Sequence, residues 1–406
     1  MGWKATHRWL GLAAGSLALM LGATGVLLSI DPVVQARHAS STPADLSVAT
    51  LAERVQRAMP GVEEIRRLPS GAFVAYGFDG EQAQASYVGP QDGRALANYR
   101  PSQLPRWVKN LHRSLLLGDV GRWGAAAIAL AMALISCSGL VLLLRRMGGW
   151  RHLAGAVRGS LAQRLHVLVG RVVLIVLCLS SLTALYMSST TLGLLELDAA
   201  SEPDVVSVAG NQTSMSVAQV PMLQDLGARD LRKLNFPSAA DPEDIWNVTT
   251  SRGQGWIDRY SGQVLAWQDS TAVQRVYDWA VVLHTGESAW PWAIALGLVG
   301  ASVVLLWLTG LLIWWRARRQ TVRITGNSAL TQADALVFVA SEDGSTWGFA
   351  QALHDALVQC GHRVHTSGLE RFQTTAATRH VFVLAATYGE GQAPTHAREA
   401  LESIAS

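Results

Sequence analysis

Four histidines carry the residue type and placement from which chemistry can be argued: His7, His112, His166 and His284, each near the end of one of four long apolar runs. A single imidazole beside a membrane span means little, because such side chains commonly rest in the interfacial layer. One at each of four spans, in a repeated pattern, says more. Neutral imidazole nitrogens offered by separate helices suit six-coordinate iron, and two axial histidines favour electron transfer over oxygen binding. All four are therefore expected to be axial ligands of haem iron, two for each of two b-type haems. Arg113, Arg122 and Arg171 are candidate partners for the propionates. His38, His152, His354, His362, His365, His380 and His396 fall in polar or soluble segments and are read as surface residues. The run Trp290, Trp292, Trp307, Trp314 and Trp315 reads as interfacial belt and packing.

The elements that must position these side chains follow from composition. Half of the 406 residues are hydrophobic and 16% are charged, which fits a multi-pass membrane protein carrying soluble parts. A net charge of +3 with clustered arginines argues against nucleic acid as a partner. Cys137, Cys178 and Cys360 have no metal-ligand or CxxCH spacing, which excludes zinc and iron–sulfur sites, c-type haem attachment and a disulfide framework.

The chain divides into a first transmembrane helix (1–30, apolar from 9), a polar strand-bearing module with its His-bearing lead-in (31–121), and a second span (122–146). A basic loop (147–165), a third span (166–188), a second module with lead-in (189–289) and a fourth span (290–316) follow. A linker (317–332) leads to a soluble tail (333–406). Lys4 and Arg8 would also suit a signal peptide, but the three further spans and the lack of a small-residue cleavage site favour a retained helix. The loop 147–165 holds Arg151, Arg158 and Arg164 and no acidic residue, directly after Arg145 and Arg146. By the positive-inside rule it is cytoplasmic, so both termini are cytoplasmic and both modules lie outside. In a Gram-negative cell the location is the inner membrane, and the bilayer is a partner.

The two halves repeat. Tyr87…Asp92-Gly93-Arg94-Ala95-Leu96 matches Ile257…Ser261-Gly262-Gln263-Val264-Leu265. Leu111-His112 matches Leu283-His284, and Ser138-Gly139-Leu140 matches Thr309-Gly310-Leu311. Internal duplication of a helix–module–helix unit explains this. At these residues, over roughly 1–320, the chain resembles the PepSY-associated transmembrane family, to which many ferric-siderophore reductases belong. The resemblance implies small α+β modules outside the membrane. Orientation then sorts the histidines: His7 and His166 near the cytoplasmic face, His112 and His284 near the outer one, one haem for each pair.

From Ala333 the pattern becomes α/β. The strand 335–340 leads through Ser341-Glu342-Asp343-Gly344-Ser345-Thr346 to a helix, and the strand 380–385 leads to Ala386-Thr387-Tyr388-Gly389-Glu390-Gly391. A strand, a hydroxyl-rich loop and a helix N-terminus together hold a phosphate. The two loops resemble those of flavodoxin-like FMN domains of diflavin reductases. The resemblance implies FMN, with Ser341, Gly344, Ser345 and Thr346 on its phosphate. It likewise puts Thr387, Tyr388 and Gly389 at the isoalloxazine, with Tyr388 stacking on it, and counts Gly391 among the FMN-binding residues. Asp343 stands where a threonine is usual, and a carboxylate beside a phosphate is unfavourable. About 75 residues make an incomplete domain of this kind, so NADPH and FAD would act through a missing or separate reductase module.

These readings converge on an oxidoreductase moving electrons from a cytoplasmic flavin through two haems to a periplasmic acceptor, which the family resemblance makes a ferric siderophore. The rival is a non-enzymatic membrane module that binds a periplasmic peptide or protein and carries an inert tail. A transporter fits less well, since beyond Arg171 the spans hold almost no ionisable residue.

Overall fold

The computed structural model describes residues 2–37, 41–100, 102–157, 159–196, 203–207, 213–319, 323–341, 344, 346–386, 397 and 400. The helices preceding the first sheet are α1 (Trp3–Ala13), α2 (Gly15–Leu28), α3 (Ile30–Ala36) and α4 (Val48–Ala58). Strands β1 (Val62–Arg67), β2 (Phe73–Asp79), β3 (Gln82–Val88) and β4 (Ala95–Asn98) precede α5 (Gln103–Ser114), α6 (Gly118–Met147) and α7 (Leu161–Thr191). After α8 (Pro221–Asp225) come β5 (Leu231–Asn235), β6 (Trp246–Thr250), β7 (Gly253–Ile257) and β8 (Val264–Asp269). Then follow α9 (Ala272–Thr285) and α10 (Trp290–Arg319), and in the tail β9 (Ala335–Ala340), α11 (Thr346–Gln359), β10 (Val364–Gly368) and β11 (His380–Ala385).

Four stretches are long and apolar enough to cross a bilayer: Gly15–Ala36, Gly118–Met147, Leu161–Thr191 and Trp290–Arg316. The protein is a multi-pass helical membrane protein. The boundaries differ from those read off hydropathy. The first span starts at Gly15 rather than residue 9, because the helix breaks at Ala14 and leaves His7 on the separate helix α1. Spans two and three are longer than their apolar cores, since polar residues such as Asp119 and Gln163 continue the helix beyond them.

Two compact units are present. One comprises Met1–Gly15, Ile135–Leu174 and Leu305–Ser406; the other comprises Ser16–Leu134 and Ile175–Val304. The second contains all strands of the two repeated modules, and here the sequence expectation needs correction. The modules are not separate domains. They share one eight-stranded sheet of order β4-β3-β2-β1-β5-β6-β7-β8, joined by the antiparallel pair β1–β5. Ile65 faces Leu234 at this seam, while Glu64 pairs with Asn235 and Arg66 with Lys233.

Two turns reveal the symmetry behind that register. Gly93 N–H donates to Gly89 O (2.8 Å) and Gly89 N–H to Arg94 O (2.9 Å). Gly262 N–H donates to Asp258 O (3.0 Å) and Asp258 N–H to Gln263 O (2.9 Å). Equivalent residues are thus 169 positions apart (258 − 89, 262 − 93, 263 − 94). Ile65 and Leu234 are 169 apart as well (234 − 65), so each faces its own counterpart, and a local two-fold axis runs through that pair. Both are completely buried. Around them α4 lays down Val48, Leu51, Ala52 and Val55, an apolar stripe at helical spacing, against Val217, Val220 and Leu223. Ser47 caps α4, its Oγ accepting Thr50 N–H at 3.2 Å. Truncating either seam residue to alanine costs about 2–5 kcal/mol by loss of apolar burial and the cavity left behind.

The tail sheet is parallel, of order β10-β9-β11, with every residue of the central strand β9 buried. That is the burial expected where both faces of a sheet are covered. The elements read from the sequence for 333–385 all form. His354 does not behave as the surface residue it was expected to be: it is 1% exposed, and its Nδ1 meets Thr366 Oγ1 at 2.9 Å. Its position on α11 turns it onto β10 rather than to solvent.

Two predictions follow from the repeated turns. Gly93 and Gly262 both have positive φ (74° and 69°), so alanine at either is strained by about 1 kcal/mol. At 93 the new Cβ also overlaps the Arg54 backbone, whereas at 262 it meets the flexible end of Met215. Gly93→Ala therefore lowers the melting temperature more than Gly262→Ala. The second concerns Asp258: burial alone would raise its pKa, but hydrogen bonds from Ser261, Ser207 and Tyr260 outweigh this and lower it. Its contribution is present above the unfolded carboxyl value near 3.8 and is lost as pH falls through the lower folded value. A denaturation series from pH 6 to 2 should show Asp258→Asn flattening the acid limb.

Candidate functional site

His7 and His166 belong to the first unit. Their ring centroids lie 6.3 Å apart with planes at 90°. His112 and His284 belong to the second unit, 6.2 Å apart with planes at 54°. The pairing read from the sequence is therefore present in the structure. With a metal–nitrogen bond of about 2.0 Å and a ring nitrogen about 1.1 Å from its centroid, two imidazoles on opposite sides of one metal ion have centroids about 6.2 Å apart. Both pairs have the separation of a bis-imidazole site. Among the described residues no group of three or more His, Cys, Asp or Glu could hold a metal ion.

Each imidazole is held the same way. His7 Nδ1 lies 3.1 Å from Ile135 O and 3.1 Å from Ser138 Oγ. His166 Nδ1 lies 3.1 Å from Leu306 O and 3.0 Å from Thr309 Oγ1. His284 Nδ1 lies 3.0 Å from Ser180 O, 3.3 Å from Thr183 Oγ1 and 3.4 Å from Ser180 Oγ. His112 Nδ1 lies 2.8 Å from Thr24 Oγ1 and also meets the Leu21 backbone. A carbonyl can only accept, so the proton sits on Nδ1, and Nε2 keeps its lone pair for a metal. Burial, followed by the neighbouring His284, pushes His112 down to about 4; burial likewise lowers His284 against the opposing effect of Ser180 O. The shift in both favours the neutral imidazole.

Lead-in helices deliver the second pair. α5 ends two residues after His112 in a left-handed Leu115, and α9 ends at Thr285 before a left-handed Gly286. These turns lead into α6 and α10. Trp292 Nε1 donates to Leu283 O (2.9 Å), tying the fourth span to its lead-in.

Sequence reasoning missed the receiving residues. Thr24, Ser138, Thr183 and Thr309 are 6%, 0%, 8% and 4% exposed, in spans whose surface is mostly uncovered. A signal existed: each span carries a hydroxyl–small couplet, Thr24-Gly25, Ser138-Gly139, Thr183-Ala184 and Thr309-Gly310. Thr24 follows His7, and Thr183 follows His166, by 17 positions (24 − 7, 183 − 166). Two of the three arginines considered for propionates have partners of their own. Arg122 pairs with Asp119 at 2.8 Å, and Arg171 donates to Gly155 O at 3.1 Å.

In the tail, Ser341 Oγ accepts Thr346 N–H at 3.3 Å and Trp347 N–H donates to Gly344 O at 3.2 Å, so the loop after β9 folds onto the N-terminus of α11. Gly344 adopts a left-handed conformation (φ 82°). Ser345, Thr387, Tyr388, Gly389 and Gly391, together with Asp343, lie outside the described residues.

A family profile for the PepSY-associated TM region matches residues 5–317, and the chain belongs to that family. A search of the curated proteins returned no match.

The couplet glycines generate a graded prediction. A Cβ at Gly139 would stand 3.2 Å from His7 Cε1, at Gly310 3.4 Å from His166 Cε1, and at Gly25 3.7 Å from His112 Cε1. Of the three, Gly139 has the approach that is clearly tighter than ordinary contact. Gly139→Ala should therefore lower the melting temperature of the detergent-purified protein more than Gly310→Ala or Gly25→Ala, measured by thermal denaturation.

Proposed function

We propose that the protein is an inner-membrane oxidoreductase that passes electrons from a cytoplasmic flavin through two b-type haems to a periplasmic acceptor, a ferric siderophore whose iron leaves as Fe(II). The observation that carries this reading is the pair of bis-imidazole sites, each of four Nδ1–H groups tied down and each Nε2 left for a metal. Haem bound there would supply one-electron redox chemistry between ferric and ferrous iron. His7 and His166 would hold the cytoplasmic haem; His112 and His284 would hold the outer one. The chain's own contribution is to fix both imidazoles of each pair before binding, so that ligation needs little rearrangement, and to keep them neutral.

For the tail, the strand order β10-β9-β11 is that with which a flavodoxin-like sheet begins. The turn from β9 into α11 offers backbone N–H groups to an FMN phosphate, and Ser341, Gly344 and Thr346 stand in it. Ser341 Oγ occupies one of those amides, on Thr346, and would yield it to a phosphate oxygen. The rival reading, a module whose shared sheet binds a periplasmic peptide or protein, predicts a protein without colour.

The test is a reduced-minus-oxidised spectrum of the detergent-purified protein. About two b-type haems per chain are expected, with about one lost in His112→Ala or His284→Ala and the other in His7→Ala or His166→Ala. A colourless wild-type protein, or haem content untouched by all four substitutions, overturns the reading.

A further inference from the structure

The hydroxyls beside the histidines do more than fill space. In each seat the oxygen already spends its own proton within its helix. Ser138 Oγ donates to Ile135 O (3.0 Å), Thr309 Oγ1 to Leu305 O (2.8 Å), Thr24 Oγ1 to Met20 O (2.9 Å) and Thr183 Oγ1 to Leu179 O (2.9 Å). With that proton committed, the oxygen meets the imidazole as an acceptor of Nδ1–H. Every histidine therefore donates into a paired acceptor, a helix carbonyl and the hydroxyl three residues beyond it: Leu21/Thr24, Ile135/Ser138, Ser180/Thr183 and Leu306/Thr309. A threonine or serine buried in an apolar span solely for packing has no reason to recur at this position in all four helices.

We infer that Thr24, Ser138, Thr183 and Thr309 are positioning residues that set the electron-donating strength of the four imidazoles, and through it the reduction potential of each haem. The inference rests on the haem reading above. Physically, an acceptor on Nδ1–H draws that proton outward, raises the basicity of Nε2 and stabilises ferric iron over ferrous. The seats are not equal. Thr24 approaches at 2.8 Å, Thr309 at 3.0 Å and Ser138 at 3.1 Å, whereas Thr183 stands at 3.3 Å and shares His284 with Ser180 Oγ at 3.4 Å. The shortest contact should tune most strongly, and losing Thr183 alone should matter least, because Ser180 Oγ remains.

The experiment is a spectroelectrochemical titration of the full-length protein carrying Thr309→Val, which keeps the shape and removes the hydroxyl, beside Thr309→Ser, which keeps the hydroxyl. Thr24→Val and Thr183→Val probe the other pair. The expected result is a positive shift of the haem whose seat is altered, little change in its companion, near-wild-type behaviour of Thr309→Ser, and a larger effect at Thr24 than at Thr183. Haem lost in Thr309→Val but kept in Thr309→Ser also supports the assignment, with the hydroxyl then holding the ligand outright. Haem retained with unmoved potentials in the valine variants overturns it. So does equal haem loss in the serine and valine variants, which would mark a packing position. A wild-type protein without haem fails the haem reading itself, whereas haem with unmoved potentials fails only this one.

Discussion

An imidazole brought into an apolar helix bundle must satisfy its N–H, because hydrocarbon offers no partner and an unmet donor costs several kcal/mol. The arrangement of the spans answers that requirement. A helix carbonyl already engaged by its own i+4 amide still has a second lone pair, and in this protein it accepts Nδ1–H from a histidine on another helix. The hydroxyl three residues on makes the acceptor stronger and fixes the ring's position along the helix. Small residues next to the hydroxyl let the ring come close: His7 Cε1 is within 3.2 Å of where a Cβ of Gly139 would be. Bond, hydroxyl and glycine act together, and none places the ring alone.

Duplication explains why the histidines come in pairs. One copy of the unit gives one imidazole at each of two positions along the chain, too few for a bis-imidazole site. Two copies related by a two-fold axis give two at each. In the second unit that axis is visible in the register, where Ile65 faces Leu234. The same unit holds His112 and His284, each delivered by the helix that follows its half of the sheet, β4 into α5 and β8 into α9. The shared sheet thus joins the two lead-in helices that carry these rings, whose centroids lie 6.2 Å apart. Symmetry is not complete: the first lead-in ends in a left-handed Leu115, the second in Gly286. The ring planes of His112 and His284 lie at 54°, those of His7 and His166 at 90°.

Much of this was legible in the residues. Apolar length gave four spans; the Asp92-Gly93 and Ser261-Gly262 phrases gave the duplication; and the rings expected to pair, His7 with His166 and His112 with His284, lie together. What stayed hidden has physical causes. Hydropathy marks where apolar residues cease, not where hydrogen bonding does, so helices continuing through Asp119 or Gln163 ran past their expected ends. The joining of two modules into one sheet depends on the β1–β5 seam, and an edge strand's local pattern does not name its partner. Thr24 and Thr183 passed unnoticed because threonine in a transmembrane helix can satisfy itself by bonding back to its own backbone. It does so here; only the position of a distant histidine gives the remaining lone pair a meaning. His354 was misread for the converse reason, since a polar residue on a soluble helix reads as exposed until its partner, Thr366, is known.

The two pairs are also built from unlike seats. His7 and His166 each have one carbonyl and one hydroxyl at 3.0–3.1 Å, so the two rings of that pair are matched. In the other pair His112 has a short hydroxyl contact, while His284 spreads its N–H over one carbonyl and two longer hydroxyl contacts. A donor divided among three acceptors is less polarised by any one of them, so the two rings of that pair are held unequally although one duplication produced both.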